Sequence, residues 1–195
     1  MTPTQNDEDE TLALVAELEV FAQAYLDVEA AGGDVRAVRH AGWRPGARTG
    51  GILLAHKDTG PEALCHCHPG RRTLFSIMRR GWGRNFDERP FHVWNDRPEL
   101  AGALAPGVVR VELVGPDRAV RVADVVDGTF AVAHELDLPA ERALAAKEAA
   151  GTATREDRVD AVFHGADQVW EALREFSIRL YDESGTVVYD GPLRR

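Results

Sequence analysis

The sequence predicts a mainly β protein of the α+β class: an antiparallel meander or sandwich with an N-terminal helix and a helical insertion. Three observations predict it. Between Gly107 and Leu136, Val109, Val111 and Leu113 alternate with Arg110 and Glu112, Val120 and Val122 flank Arg121, and Phe130 and Val132 alternate with small or polar residues. Period-two alternation puts one set of side chains on a buried face and the other toward water. Gly115-Pro116-Asp117 and Asp127-Gly128 separate the three runs with turn chemistry, which makes the stretch a three-stranded antiparallel meander. Second, Leu14, Leu18, Phe21, Tyr25 and Val28 recur at helical spacing and form one apolar stripe. Third, residues 138–175 break the β pattern with alanine-rich, helix-forming sequence.

In chain order, residues 1–9 are polar and acidic and read as a disordered tail. Residues 10–33 form the amphipathic helix, with acidic residues at its start and Gly32-Gly33 at its end. Its stripe packs either on the domain's own sheet or on a partner or second copy, so Leu14, Leu18, Phe21 and Tyr25 are candidate interface residues. Residues 34–195 make the β-rich domain, divisible into lobes 34–104 and 105–195. Val35 to His40, Ile52 to His56 and Ala63 to His68 are candidate strands, with Gly/Pro-rich turns at 42–51 and 58–61. Thr73 to Arg80 suits a strand or a helical turn, and 81–85 is irregular. Phe91 to Trp94 is again strand-like.

After the meander, Pro139 suits the first turn of a helix, Glu141 to Ala150 continues it and Gly151 ends it. A second helix starts near Thr154, which with Asp157 three residues on resembles a weaker capping box, and its apolar face is Val159, Val162, Phe163, Ala166, Trp170 and Leu173. The closing hairpin, Phe176 to Tyr189, should pair with the meander, because an isolated hairpin is marginal in water.

The strand Gly107-Val108-Val109-Arg110-Val111-Glu112-Leu113, the run Val125-Val126-Asp127-Gly128-Thr129-Phe130 and the turn Leu180-Tyr181-Asp182-Glu183-Ser184-Gly185 resemble a small β module of uncharacterised actinobacterial proteins. The likeness covers about 50 of the 195 residues. Many members of that group are exported or membrane-anchored, and the insertion at 138–175 departs from their pattern. The resemblance implies a fold and no activity. Richness in Ala, Arg, Val, Gly and Asp fits a high-GC bacterial source.

A net charge of −9 opposes nucleic acid and anionic membrane surfaces, so neither is an expected partner. No apolar run is long enough to span a bilayer, and membrane insertion is not expected. The acidic start does not resemble a secretory signal. Cys65 and Cys67 stand at i and i+2, a spacing unsuited to a disulfide; reduced thiols and a cytoplasmic location are expected.

Two stretches carry candidate chemistry. Cys65-His66-Cys67-His68 is the densest group of metal-capable side chains. On a strand the thiols face one side and the imidazoles the other, so a zinc site needs His56 or His40 from a neighbouring strand. The His-x-His unit is similar to the start of a cupin metal motif, but Arg71, Arg72 and Thr73 stand where the following glutamate belongs. The competing reading makes the cysteines small buried apolar residues. Residues 69–97 carry seven arginines against three acids, interleaved with Phe75, Trp82, Phe86, Phe91 and Trp94, a composition of nucleic-acid grooves and of protein interfaces, of which the acidic remainder of the chain disfavours the first. Arg79, Arg80, Trp82, Arg84 and Phe86 are its candidate interface residues, and a self-contained, ion-paired surface is the alternative. Nucleophile-elbow, phosphate-loop and dinucleotide motifs do not occur, and the lone His134 and His164 read as structural. The sequence therefore favours a non-catalytic interaction or assembly component of a bacterial cytoplasmic complex, with a protein partner or a second copy and no cofactor. The alternative is a zinc-type regulatory protein or enzyme centred on Cys65–His68.

Overall fold

The computed structural model describes residues 5–67, 74–78, 86–96, 99–136 and 138–193. Helix α1 (Gln5–Ala30) precedes a 3-10 turn at Val35–Ala37 and a first sheet of four antiparallel strands in sequence order, β1 (Trp43–Arg48), β2 (Ile52–Lys57), β3 (Glu62–His66) and β4 (Leu74–Met78). A middle sheet has the order β5 (Phe91–Asn95), β6 (Glu99–Leu104), β10 (Thr129–Ala133), β9 (Asp124–Val126). A third has the order β12 (Val187–Pro192), β11 (Ser177–Asp182), β7 (Val108–Val114), β8 (Val120–Val122). Helices α2 (Pro139–Ala149) and α3 (Arg155–Leu173) lie between β10 and β11 in the chain. The protein is mainly β and α+β, as its alternation predicts.

The middle sheet packs on both others. Toward the first sheet it presents Ala101, Ala131 and Trp94 against Ala47, Ile52, Leu54, Leu64 and Met78. Toward the third sheet and α3 it presents Phe91, Leu100, Leu104, Phe130 and Val132 against Val111, Leu113, Ile178, Leu180, Val169 and Leu173. Sheet pairing thus joins strands from either side of residue 104, the boundary expected between two lobes.

The hairpins that follow from Gly115-Pro116-Asp117 and Asp127-Gly128 are present, and β11 pairs with β7 as expected. The meander itself is corrected: Val109, Val120 and Val122, which alternation puts on one buried face, are exposed, and Glu112, expected toward water, is buried, where it accepts from Tyr181 Oη at 2.7 Å. The meander's middle run breaks at Ala123: β8 pairs with β7 in the third sheet, and β9 pairs with β10 in the middle one. The chain therefore changes sheet within one continuous alternating run.

Other corrections have local causes. The helix starts at Gln5, inside the stretch expected to be disordered. Val35 to His40 is no strand, because the Asp34 side chain accepts the Arg36 amide N–H and caps a 3-10 turn. Residues 42–51 hold a strand, β1, with a bulge between Pro45 and Arg48, as proline and glycine are tolerated at a bulged edge. β6, with its Ala-Gly-Ala centre, has no β-branched residue to announce it, yet it is buried along nearly its whole length. Pro139 and the Thr154/Asp157 capping box stand where expected. The buried face of α3 is rotated from the expected one: Ala161, Val169 and Leu173 are buried, while Val159 and Trp170 are exposed. The side chains of Val162, Phe163 and Ala166 lie outside the described residues.

Candidate functional site

The stripe of α1 belongs to the protein's own core. Leu18, Phe21 and Tyr25 are buried with Trp43, Leu53, Ala55 and Cys65, and Leu14 packs against the same cluster. Burying Leu18 and Phe21 contributes about 1.5–3 kcal/mol each. Two clasps fix the helix. Lys57 pairs with Glu17 while its ammonium lies 5.4 Å from the Trp43 ring centroid, and Arg48 pairs with Glu29 and donates to Tyr25 Oη at 3.0 Å. The Lys57 hydrogen bond also holds the Glu17 carboxyl below its ordinary pKa. Leu14, Leu18, Phe21 and Tyr25, expected as candidate interface residues, thus cover the first sheet.

The Cys/His cluster does not converge in its described members. Cys65 and Cys67 are buried under α1 in that same core. Burial pushes the Cys65 thiol well up, with a further rise from Cys67, and pushes Cys67 up to about 11 although Arg48 pulls the other way. A metal ligand is a thiolate, and this environment favours the thiol. His66 is on the opposite side of the strand, lining the space between the first and middle sheets. Among the described residues no three His, Cys, Asp or Glu side chains are grouped to hold a metal ion. His68 lies outside the described residues.

His56 is engaged elsewhere. Its Nδ1 is 3.0 Å from Glu62 Oε1 and its Nε2 is 3.5 Å from Thr129 Oγ1. Carboxylate, imidazole and hydroxyl in this order resemble the arrangement of nucleophilic catalysis. The hydroxyl is committed, however: it donates to the Val126 carbonyl at 2.6 Å and accepts the Ala47 N–H at 3.1 Å. All three residues are buried, and an added Cβ on Gly46 would lie 2.7 Å from His56 Nε2. With no space for a substrate carbonyl, the trio acts as a clasp between β1–β3 and β10. Around it Arg36 bonds Asp124 at 2.7 and 2.8 Å, the Arg48 backbone N–H donates to Asp124 at 2.8 Å, and Arg44 pairs with Asp127. One margin of the first sheet is thereby pinned to β9 and to the turn that follows it.

The described part of the arginine–aromatic stretch forms a groove. Arg79, Arg80, Trp82 and Arg84 lie outside the described residues, and Phe86 is half-buried. Beyond Phe86, the groove of about 590 Å³ is walled by Glu88, Arg89, all of β5, Asp96, Trp170 and Leu193. Since five consecutive residues of β5 line it, the groove follows the strand's length. β5 is the outer strand of the middle sheet. The Ala105 N–H bonds the Pro90 carbonyl at 2.9 Å on the β6 side, and Phe91, next in the alternation, turns its backbone groups away from β6, as does Val93. The wall is braced: Arg89 donates to the Leu193 carbonyl at 3.1 Å and covers the Phe91 ring, which meets Tyr189 edge-on with centroids 5.4 Å apart. Across the groove Trp170 is 51% exposed. Sequence periodicity placed Trp170 on the buried face of α3; its exposure follows from the helix's actual rotation.

Comparison with protein-family models, curated proteins and solved structures finds no match to this chain. No helix among the described residues is long and apolar enough to cross a membrane.

Proposed function

We propose that this protein is a non-catalytic interaction module that takes an extended segment of another polypeptide along the outer edge of β5, under Trp170. The observation that carries the reading is the groove itself. A strand edge whose length lies in a groove offers main-chain pairing, and alternate side chains of a docked strand would meet the groove walls. A half-exposed tryptophan beside it is the residue type most enriched among interface anchors. The partner is a different protein or a second copy of this chain, in a reducing compartment such as a bacterial cytoplasm, where thiols at this spacing stay unbridged.

The test is photo-crosslinking in the producing cell. A photo-activatable residue replaces exposed Asp167, one helical turn before Trp170, and in a control replaces Glu183 in the turn between β11 and β12. The reading expects one discrete adduct from position 167 and none of that mass from 183. An adduct of twice the 21.4 kDa chain mass identifies a second copy, and any other mass a different protein. Absence of a discrete adduct at 167, or the same products from both positions, refutes the reading.

A further inference from the structure

Helix α2 is attached unlike the other two α-helices. Where α1 sinks Leu18, Phe21 and Tyr25 into a core and α3 sinks Val169 and Leu173, no residue of α2 is buried. It packs chiefly on α3, and loosely: a gap of about 180 Å³ lies among Ala143 and Leu144 of α2 and Asp160 and Ala161 of α3. A helix of 11 residues without a packed face is marginal in water. Nor does α2 cap its own start. Its N-cap residue, Leu138, has no side-chain oxygen, and the Ala140 N–H donates instead to Gln168 Oε1 of α3 at 3.0 Å. The far end is tied to α3 by charge: Lys147 pairs with Asp157, and Arg158 Nε donates to Glu148 Oε1 at 3.1 Å. The segment's two ends are fixed without the helix. Leu138 is buried in the core between the middle and third sheets, and Thr154 and Asp157 cap α3 reciprocally.

We propose that α2 is a releasable strap, helical only while docked on α3, whose release is set by ionic strength and by the charge at Lys147. Away from α3 it loses the Gln168 cap and the ion pairs together, so docking and helix formation are one event. Exposed ion pairs are weak and are screened by salt, which makes the docked strap the low-salt state. Release pulls no side chain of α2 from a core, so the strap opens as a local unit while α3 and the sheets stay folded. It opens the side of α3 that carries Asp160, Ala161 and the Gln168 amide. Gly151, at φ +69°, ends the helix with the Thr152 N–H on the Lys147 carbonyl at 2.9 Å, so the turn into α3 closes only when the last turn of α2 is formed.

Amide hydrogen exchange of the whole protein tests this. At low salt, residues 143–149 should be at least roughly tenfold less protected than residues 169–173 of α3. Raising sodium chloride to about 0.5 M should lower protection in α2 a further two- to fivefold, roughly the worth of one surface ion pair, and leave residues 169–173 as they were. Lys147→Gln should lower it by about the same factor at low salt and shrink the salt effect, with the unfolding midpoint unchanged. Gln168→Ala should lower protection along the whole of α2, because cap and helix are lost together. Protection of 143–149 equal to that of 169–173, exchange indifferent to salt and to Lys147→Gln, or a Gln168→Ala effect confined to the first turn of α2 overturns the proposal. The measurement needs no protein partner, so its outcome is independent of the β5 reading.

Discussion

Gly46→Ala tests the clasp between the first and middle sheets. A Cβ at this position would lie 2.7 Å from His56 Nε2 and 2.9 Å from Thr129 Oγ1, both well inside ordinary contact. Neither neighbour is a loose end. The His56 ring is held by Glu62 at 3.0 Å, and the Thr129 hydroxyl by Val126 at 2.6 Å and Ala47 at 3.1 Å. Overpacking of this kind costs about 1–3 kcal/mol. Relief by moving β1 away breaks the Ala47–Thr129 bond and leaves a buried group unsatisfied, for about 1–3 kcal/mol more. The two responses are alternatives in part, so the expected loss is about 3 kcal/mol, or roughly 6–12 °C in Tm for a chain of this size. Urea unfolding followed by tryptophan fluorescence and by circular dichroism measures it. Gly50→Ala is the control: a Cβ there meets nothing within 4 Å, and the change should stay within about 0.5 kcal/mol. A Gly46→Ala loss below about 1 kcal/mol would refute the close-packed clasp.

Two further outcomes follow from burial. Iodoacetamide at pH 8 should modify Cys67 about 100-fold more slowly in the native protein than in urea from thiolate supply alone, since burial moves the thiol from 9.0 up to about 11, and Cys65 should be slower still; native rates equal to those in urea would contradict this packing of the cysteines under α1. Burial also holds His134 below its ordinary 6.5, with Nε2–H donating to the Asp96 carbonyl at 3.0 Å and Nδ1 buried without a hydrogen-bond partner. A depressed folded pKa means that the unfolded chain takes up a proton the folded chain refuses, so its stability contribution is full above pH 6.5 and is lost as pH falls below that value. His134→Gln should remove this slope, which for one proton cannot exceed about 1.4 kcal/mol per pH unit; parallel stability curves for the two proteins from pH 8 to 5 would count against it.

Local signals were legible in the sequence wherever a single element decides its own shape. The turn at Asp127-Gly128, the stripe of α1 and the Thr154 cap appear in the structure, whereas of the alternating set Val109, Val111 and Leu113 only the last two are buried. What escaped depends on neighbours. β6 reads as small residues because Ala101 and Ala103 face a close-packed sheet where larger side chains would not fit, and Gly102 leaves no room for a Cβ, which would fall 2.0 Å from the His92 carbonyl oxygen. β1 hides behind Pro45 and Gly46, which its bulge accommodates. The change of sheet at Ala123 is invisible to an alternation that runs straight through it. The candidate site divided in the same way. Phe91 to Trp94 was legible as a strand, but the groove beside it depends on the rotation of α3 and the return of the chain to Leu193, which no local pattern encodes. Cys65 and Cys67 drew attention by their spacing, while the decisive fact, that α1 covers them, is tertiary.

The most direct measurement of the central claim is the yield of the position-167 crosslinked adduct with tryptophan and with alanine at position 170. A desolvated tryptophan anchor carries about 2 kcal/mol or more of binding, which is roughly 30-fold in Kd. Trp170 is half-exposed on α3, so its removal should leave the fold intact, as circular dichroism and the unfolding midpoint would verify. The account predicts that Trp170→Ala lowers the adduct yield at least tenfold at subsaturating partner concentration. An undiminished adduct from a folded Trp170→Ala protein would contradict it.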